Sequence, residues 1–568
     1  MTTWTQVTNP LNNLWLSAFV AALPIFFLGW ALAIKKMKGY LAALLTILLA
    51  TLIAIFVYGM PTGIALTTDL LGAFKGLAPI GYVVLTGVFL YNLTVEAGQF
   101  EIIKYSISKV SDDQRIQALL IAFAFSAFIE GAAGFGTPVA IAAAMLIGLG
   151  FPPLYAAGLA LVANSIPVAF GSIGIPITTA GSVSGLSPDL IGAMAGRQLP
   201  ILTLIIPFWV VMIMGGWKAA KGVMPALVVS GVSFAAAQFI SSNYLGYQST
   251  DLIASMTAIA ALILLLLVWK PKDRWTFEGM QATVPGNKGY PRPAELELSA
   301  TSPTQATDTG GQRYSGSEIL RAWSPYIITS LVILLWSRQW FKDLFDVKKG
   351  ASQFWEIKFN MPVVHKAVLV GGKAQDAVYS LNWITASGTA ILVATILGGL
   401  VLGMSPKRYI ATFVKTLKQL ALPLVAIACF LAYAELSQRS GMGTTMGLAL
   451  SKTGAAFAFF APIIGYIGVF LTGSDTSTNA LFGKLQTVAA KEVGIDPILA
   501  VASNSTGGCA AKMISPQSIA VGAGATNMVG QEGNILRFTI KHSLIFVFLI
   551  GIISWLQAHV FTWMIPGH

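Results

Sequence analysis

Apolar runs of about 20 residues recur along most of this chain, and they constrain its fold more than any other feature. At 1.5 Å per residue, a run of that length crosses the ~30 Å hydrocarbon core of a bilayer as an α-helix. Lipid offers an open backbone no hydrogen bonds, so such runs are helical. Composition agrees: 55% of the 568 residues are hydrophobic and 10% are charged, which points to an all-α polytopic membrane protein. The net charge of +12 would suggest a nucleic-acid partner in a soluble chain. Here the positive residues cluster in short loops, where they set topology, and no nucleic-acid partner is expected. The first run, Trp15 to Ile34, lacks a basic leader and is followed by lysines, so it reads as a retained span. Cys429 and Cys509 lie far apart in apolar segments and read as small buried residues. The four histidines match no metal-ligand spacing, and neither a metal nor a cofactor is expected.

Polarity at membrane depth is expensive: a charged side chain near the centre of a spanning helix costs about 2.5–3.5 kcal/mol. Irregular backbone persists there only where protein or a watery cavity surrounds it. Four stretches break the apolar pattern in this way. Ser474 to Asn479 sets six hydroxyl, amide or carboxylate side chains in a row between two apolar limbs. Glu130-Gly-Ala-Ala-Gly-Phe-Gly-Thr-Pro138 follows only about 15 apolar residues, roughly 22 Å of helix, and leads into a second short limb. Both read as tips of re-entrant hairpins. Two long segments are interrupted in mid-course, one at Asn164-Ser-Ile-Pro167 and again at Gly171, Gly174 and Pro176, the other at Asn504-Ser-Thr-Gly-Gly508. Both read as broken helices.

The positive-inside rule orients the chain. Lys35, Lys36 and Lys38 close the first span on the cytoplasmic side, which puts the N-terminus outside. Pro61 to Lys75 is too polar to cross and reads as an amphipathic helix on the surface. About twelve spans and two hairpins then account for every charge in a short loop. The divisions expected are N-terminal helices at 1–76, a first repeat at 77–217, connecting helices at 218–269 and a cytoplasmic linker at 270–317. Connecting helices with a long outer loop at 318–404 and a second repeat at 405–568 complete the chain.

The repeat rests on spacing. Asn164-Ser165, Pro176 and Arg197 recur as Asn504-Ser505, Pro516 and Arg537, each 340 residues later. Phe128-Ile-Glu-Gly131 lines up with Phe470-Leu-Thr-Gly473, and Gly150-Phe-Pro-Pro153 with Gly494-Ile-Asp-Pro497. By the orientation above, the first hairpin enters from the cytoplasm and the second from outside, so the repeats are inverted. In secondary transporters such repeats meet near the membrane midplane, where helix N-termini offer N–H groups to an anion.

With these residues in view, the chain resembles the bacterial L-lactate permease family, whose members transport lactate and glycolate with protons. The likeness rests on Phe128-Ile-Glu-Gly-Ala-Ala-Gly-Phe-Gly-Thr-Pro-Val-Ala140, Pro167-Val-Ala-Phe-Gly171 with Gly174-Ile-Pro176, and Gly196-Arg-Gln-Leu-Pro200. It rests equally on Leu471-Thr-Gly-Ser-Asp-Thr-Ser-Thr-Asn-Ala-Leu-Phe482 and Lys512-Met-Ile-Ser-Pro-Gln-Ser-Ile-Ala520. The resemblance implies a small organic anion and protons as partners, a place in the bacterial inner membrane, and an elevator-type fold of the wider ion-transporter superfamily. Its members often work in dimers, so a homodimer is among the expectations.

A 2-hydroxy acid presents one carboxylate and one hydroxyl, so its site needs cationic or N–H donors on one side and polar acceptors on the other. Ser474, Thr476, Ser477, Asn479, Asn164, Ser165, Asn504, Ser505 and Thr506 supply both, with Gly136 and Thr137 at the first tip. Lys512 pairs either with the substrate carboxylate or with Asp475, or with each in turn. Glu130 is the candidate proton carrier, with Asp475 as second; the alternative for Glu130 is a carboxylate fixed by backbone amides at its tip. Moving a protonated Glu130 with a lactate anion makes the transported charge zero. Arg197 and Arg537 read as residues that open spans and snorkel to the interface, and His542 as a surface histidine.

No catalytic residue is assigned. The rival readings are a transporter of another anion such as gluconate or a dicarboxylate, or one coupled to sodium. A membrane-embedded hydrolase using Ser474 or Asp475 lacks a second acid or a His–Ser partnership, and a channel fits closed hairpin tips poorly.

Overall fold

The computed structural model of the chain describes residues 3–35, 37–134, 136–277, 314–528 and 531–567. Most of the expected linker at 270–317 therefore lies outside the described residues. Among those residues, eleven helices are long and apolar enough to cross a membrane, or twelve if the bent pair Pro153–Ala163 and Pro167–Ser184 is one span. Leucine-rich helices such as Tyr247–Val268 have a buried face and an outer face carrying Leu264, Leu267 and Val268 in the open. Apolar residues all round a helix are what lipid on one side and protein on the other require.

Ten helices build the centre. They are α1 (Gln114–Ala132), α2 (Thr137–Gly148), α3 (Pro153–Ala163), α4 (Gly171–Ser184), α5 (Tyr247–Val268), α6 (Pro406–Ser440), α7 (Phe457–Thr472), α8 (Asp475–Glu492), α9 (Pro497–Lys512) and α10 (Pro516–Ala525). Helix α1 is wholly enclosed by its neighbours. It turns into α2 through Gly134 and Gly136, at φ +57° and +84°. The break between α3 and α4 falls where the sequence places it. Asn164 caps α3, the chain bends by 59°, and Ser172, Ile173 and Gly174 follow with φ of +46°, +62° and +73°. Left-handed backbone at a β-branched isoleucine is strained, a condition that concentrates at functional segments.

The second break is not where the glycines suggested. Helix α9 runs unbroken through Asn504–Gly508, and the interruption comes at residues 513–515 before α10. The glycines serve close packing instead: a Cβ at Gly507 would lie 2.0 Å from the Pro462 carbonyl oxygen of α7, and one at Gly465 would lie 1.8 Å from that of Asn504. Gly507→Ala is therefore expected to drive α7 and α9 apart at a cost of about 1–3 kcal/mol or more. A lower unfolding midpoint in detergent checks this.

The stretch at 61–75 also departs from expectation. Helix Thr62–Lys75 does not lie free on the surface but packs on α6, so closely that a Cβ at Gly72 would sit 2.5 Å from the Ala432 Cα. Its polar groups are used within the protein. Asp69 accepts from Thr51 (2.8 Å), and Lys75 pairs with Glu435 (2.8 Å), which also holds Arg439 (2.8 Å).

Strand β1 (Trp4–Thr5) pairs in parallel with β3 (Val368–Val370), which pairs with β4 (Lys373–Ala374), while β2 (Glu356–Asn360) pairs antiparallel with β5 (Val378–Asn382). The N-terminal residues and the polar stretch 337–381 thus share one end, and that stretch is a small β-cap as well as a loop. Arg115, 1% exposed, binds Asp113 (2.7 Å) and the carbonyls of Ala219 (3.3 Å) and Asp273 (2.9 Å). Arg115→Ala leaves the buried Asp113 carboxylate without its counter-charge, a loss of about 3–5 kcal/mol. The expected result is a fall in folded yield and melting temperature.

Candidate functional site

The broken helices and the two helix turns converge on a cavity of about 960 Å³. Glu130, Ala133 and Thr137 line it from the α1–α2 turn, Gly171, Ser172 and Pro176 from α4, and Phe470 to Ser477 from the α7–α8 turn. Lys512, Pro516 and Gln517 come from the α9–α10 break, and α6 adds Gln419, Pro423 and Phe430. The volume is near the top of the range for ligand pockets, about 300–1,000 Å³, and far exceeds a three-carbon acid. It holds a site together with its approach.

Three helices begin at this cavity. Helix α2 starts at Thr137, α8 at Asp475 behind a Ser474 cap that accepts from the Ser477 N–H (3.2 Å), and α10 at Pro516 behind a Ser515 cap that accepts from the Ser518 N–H (3.3 Å). Each N-terminus carries roughly half a positive charge in its free N–H groups. Lys512 adds a full one. It is 6% exposed and its Nζ donates to the Gly473 carbonyl (2.8 Å). Among the described residues it forms no ion pair with Asp475. An ammonium has three donors, so two remain for an anion.

Glu130, Asp475 and Glu532 bring carboxyls to the cavity lining. Glu130 Oε2 accepts from Asn164 Nδ2 (2.9 Å), and Asn164 Oδ1 accepts from Ser126 (2.9 Å). A side-chain amide, not the backbone at the tip, thus holds Glu130. Asp475 Oδ2 accepts from the Ser505 hydroxyl and from Asn479 Nδ2 (3.4 Å), and its Oδ1 is buried without a partner among the described residues. Gly508 makes that placement feasible, since a Cβ there would lie 2.4 Å from Oδ1.

Of the residues singled out by sequence, Glu130, Thr137, Ser474, Asp475, Thr476, Ser477 and Lys512 line the cavity. Gly136, Asn164, Ser165, Asn479, Asn504, Ser505 and Thr506 stand behind it. Asn479 donates to the Pro176 carbonyl (3.1 Å) and accepts from Asn504 (2.8 Å), Thr506 donates to Gln198 (2.7 Å), and Ser165 donates to the Val162 carbonyl (2.7 Å). These contacts position the wall. Ser172, which donates to the Ala133 carbonyl (3.0 Å), and Gln517 are cavity residues that sequence reasoning missed, although Ser172 adjoins a flagged break and Gln517 follows the repeat's Pro516.

Two readings need correction. Arg197 does not open a span: it lies nine residues into helix Pro188–Thr203, and donates to Asn243 (2.8 Å) and the Met564 carbonyl (2.8 Å) instead of snorkelling. His542 is not on the surface. It is 7% exposed, and its Nδ1 accepts from the Trp209 indole (2.9 Å).

A helical bundle with eleven or twelve candidate spans around a polar central cavity defines a polytopic membrane transport protein. Residues 17–561 match the profile of the L-lactate permease family, and the chain belongs to that family. It is 46% identical to the L-lactate permease of Salmonella typhimurium over 572 residues, 100% of both chains. It is likewise 46% identical to the glycolate permease GlcA of Escherichia coli, over 100% of both. The L-lactate permease of Bacillus subtilis is 46% identical over 99% of this chain and 100% of that one. A looser likeness, to the Alcanivorax borkumensis YdaH transporter, has 14% identity and a TM-score of 0.48 over 93% of this chain and 100% of that one, and supports no statement here. The protein is a multi-pass protein of the bacterial inner membrane.

Proposed function

We propose that this protein carries L-lactate and related 2-hydroxy monocarboxylates, D-lactate and glycolate among them, across the inner membrane together with protons. The observation that carries the reading is one cavity lined by Lys512, by the starts of three helices and by the Glu130 carboxyl. The substrate carboxylate lies between Lys512 Nζ and the α8 and α10 N-termini. Its hydroxyl meets Ser474, Thr476, Ser477 or Thr137. The partnered residues behind them, Asn164, Ser165, Asn479, Asn504, Ser505, Thr506 and Gly136, set the wall. Glu130 takes the proton that neutralises the moving charge, with Asp475 as its counterpart across the site.

The α1–α2 and α7–α8 pairs act as re-entrant hairpins of two inverted repeats, 77–217 and 405–568, which alternate access by an elevator movement, in a homodimer. The flanking parts at 1–76, 218–269, 270–317 and 318–404 serve as scaffold and connections. Supporting the repeat, each hairpin acid accepts from the Asn-Ser pair of the next helix, Glu130 from Asn164 and Asp475 from Ser505. Gly150 and Gly494, at φ +83° and +72°, each precede a helix begun by proline.

Counterflow of labelled L-lactate in proteoliposomes tests the substrate class. Unlabelled L-lactate, D-lactate and glycolate inside the vesicles are expected to draw label in. Counterflow with gluconate or succinate, and none with lactate, contradicts the proposal.

A further inference from the structure

Behind Glu130 stands a second acid that the cycle described so far leaves unused. Asp251 lies at the start of α5, is 1% exposed, and has no hydrogen-bond partner among the described residues at either carboxyl oxygen. Helix α5 packs closely on α1: a Cβ at Gly131, the residue after Glu130, would lie 2.7 Å from the Asp251 Cβ. The titratable groups that face Asp251 are Glu130 from α1 and the Cys509 thiol from α9. Tyr247, at the start of α5 itself, turns its hydroxyl to Thr178 of α4 (3.0 Å). Among the described residues no lysine, arginine or histidine forms an ion pair with Asp251.

A buried carboxylate without a donor or a counter-ion is far more costly than a neutral carboxylic acid in the same place. Glu130 differs, because the Asn164 amide donates to it and supports its ionised form. The two acids thus differ in how far their surroundings support a charge, and paired acids with unequal surroundings divide a proton between them. The Ser249 hydroxyl, two residues before Asp251 and 1% exposed, is also buried without a partner among the described residues. Unsatisfied polar atoms therefore lead along the first turn of α5 to Asp251, next to α1. Glu130 lines the cavity and Asp251 does not.

We propose that Asp251 is a second proton-binding group of the transport cycle, passing protons between Glu130 and the first turn of α5 at residues 247–249. In this step an O–H bond at the Asp251 carboxyl breaks and one at Glu130 forms. Asp251 is left as a carboxylate until a proton from the turn restores it, and no electrons move. Protons reach Glu130 from behind while the organic anion uses the cavity, so neither blocks the other.

The inference rests on Glu130 as the coupling acid, and the test separates the two. Full-length protein in proteoliposomes is assayed for labelled-lactate counterflow and for lactate-driven proton uptake with an internal pH dye. For Asp251→Asn, the ratio of proton uptake to counterflow is expected to fall roughly 100-fold, the scale of a positioned proton-transfer group. If Glu130→Gln loses coupling and Asp251→Asn keeps the wild-type ratio, the relay is overturned and the reading of Glu130 stands. If Glu130→Gln still accumulates lactate uphill on a pH gradient, the reading of Glu130 fails, and the relay with it. Should Asp251→Asn not fold, the wild-type protein decides. Dicyclohexylcarbodiimide, which attacks protonated carboxyls in apolar surroundings, is expected to label the peptide carrying Asp251 and to label it less as pH rises. Unlabelled Asp251 at every pH overturns the proposal.

Discussion

Glu130→Gln is expected to abolish uphill accumulation of lactate on an imposed pH gradient, while labelled lactate still exchanges between the two faces at a measurable rate. The amide keeps the shape of the carboxyl and a carbonyl oxygen that can accept from Asn164 Nδ2, now at 2.9 Å from Glu130 Oε2. What it removes is the group that gains and loses a proton. A proton must be bound and released once per cycle if its gradient is to drive the anion, and a permanently neutral side chain makes that step futile. Accumulation should fall to the equilibrium level at any pH gradient, whereas exchange needs only loading and reorientation.

Lys512→Met carries the second large effect, on affinity. Lys512 is the cation within the cavity's anion-facing wall, and its Nζ already spends one donor on the Gly473 carbonyl. Removing one partner of a buried charge pair costs about 2–5 kcal/mol, or roughly 30-fold to several thousand-fold in binding. The half-saturation concentration for lactate should rise accordingly. Lys512→Arg retains the charge with a planar fork in place of a compact ammonium, and should recover part of the loss. Equal affinity in Lys512→Met and wild type, from equilibrium binding of labelled lactate, would remove Lys512 from the site.

How far the sequence spoke for itself depends on which physical effect dominated at each place. The spans and the polar tips at Glu130 and Ser474 to Asn479 were legible because desolvation in a bilayer is large and local. A run of apolar residues, or a break in one, carries its meaning without knowledge of distant contacts. The break assigned to Asn504–Gly508 was misplaced because glycine answers two demands alike, an open turn and a close helix crossing, and at Gly507 the crossing with Pro462 governs. Arg197 and His542 were misread for another reason. Their partners, Met564 and Trp209, are more than 300 residues away in the chain, so only the fold reveals that these polar groups are satisfied inside. Asp251 escaped notice because it follows a polar turn and precedes the apolar run from Leu252, where an acid normally meets water. Packing of α5 on Gly131 encloses it instead. The strands at 356–382 are too short and too exposed to leave an alternating pattern.

The central claim, a proton-coupled carrier of 2-hydroxy monocarboxylates, is tested most directly by uptake of labelled L-lactate into proteoliposomes under one imposed gradient at a time. An inward proton gradient with sodium equal on both sides should drive accumulation above equilibrium, and collapse of that gradient by a protonophore should release it. Accumulation driven by an inward sodium gradient at equal pH, with none driven by the proton gradient, would contradict the account.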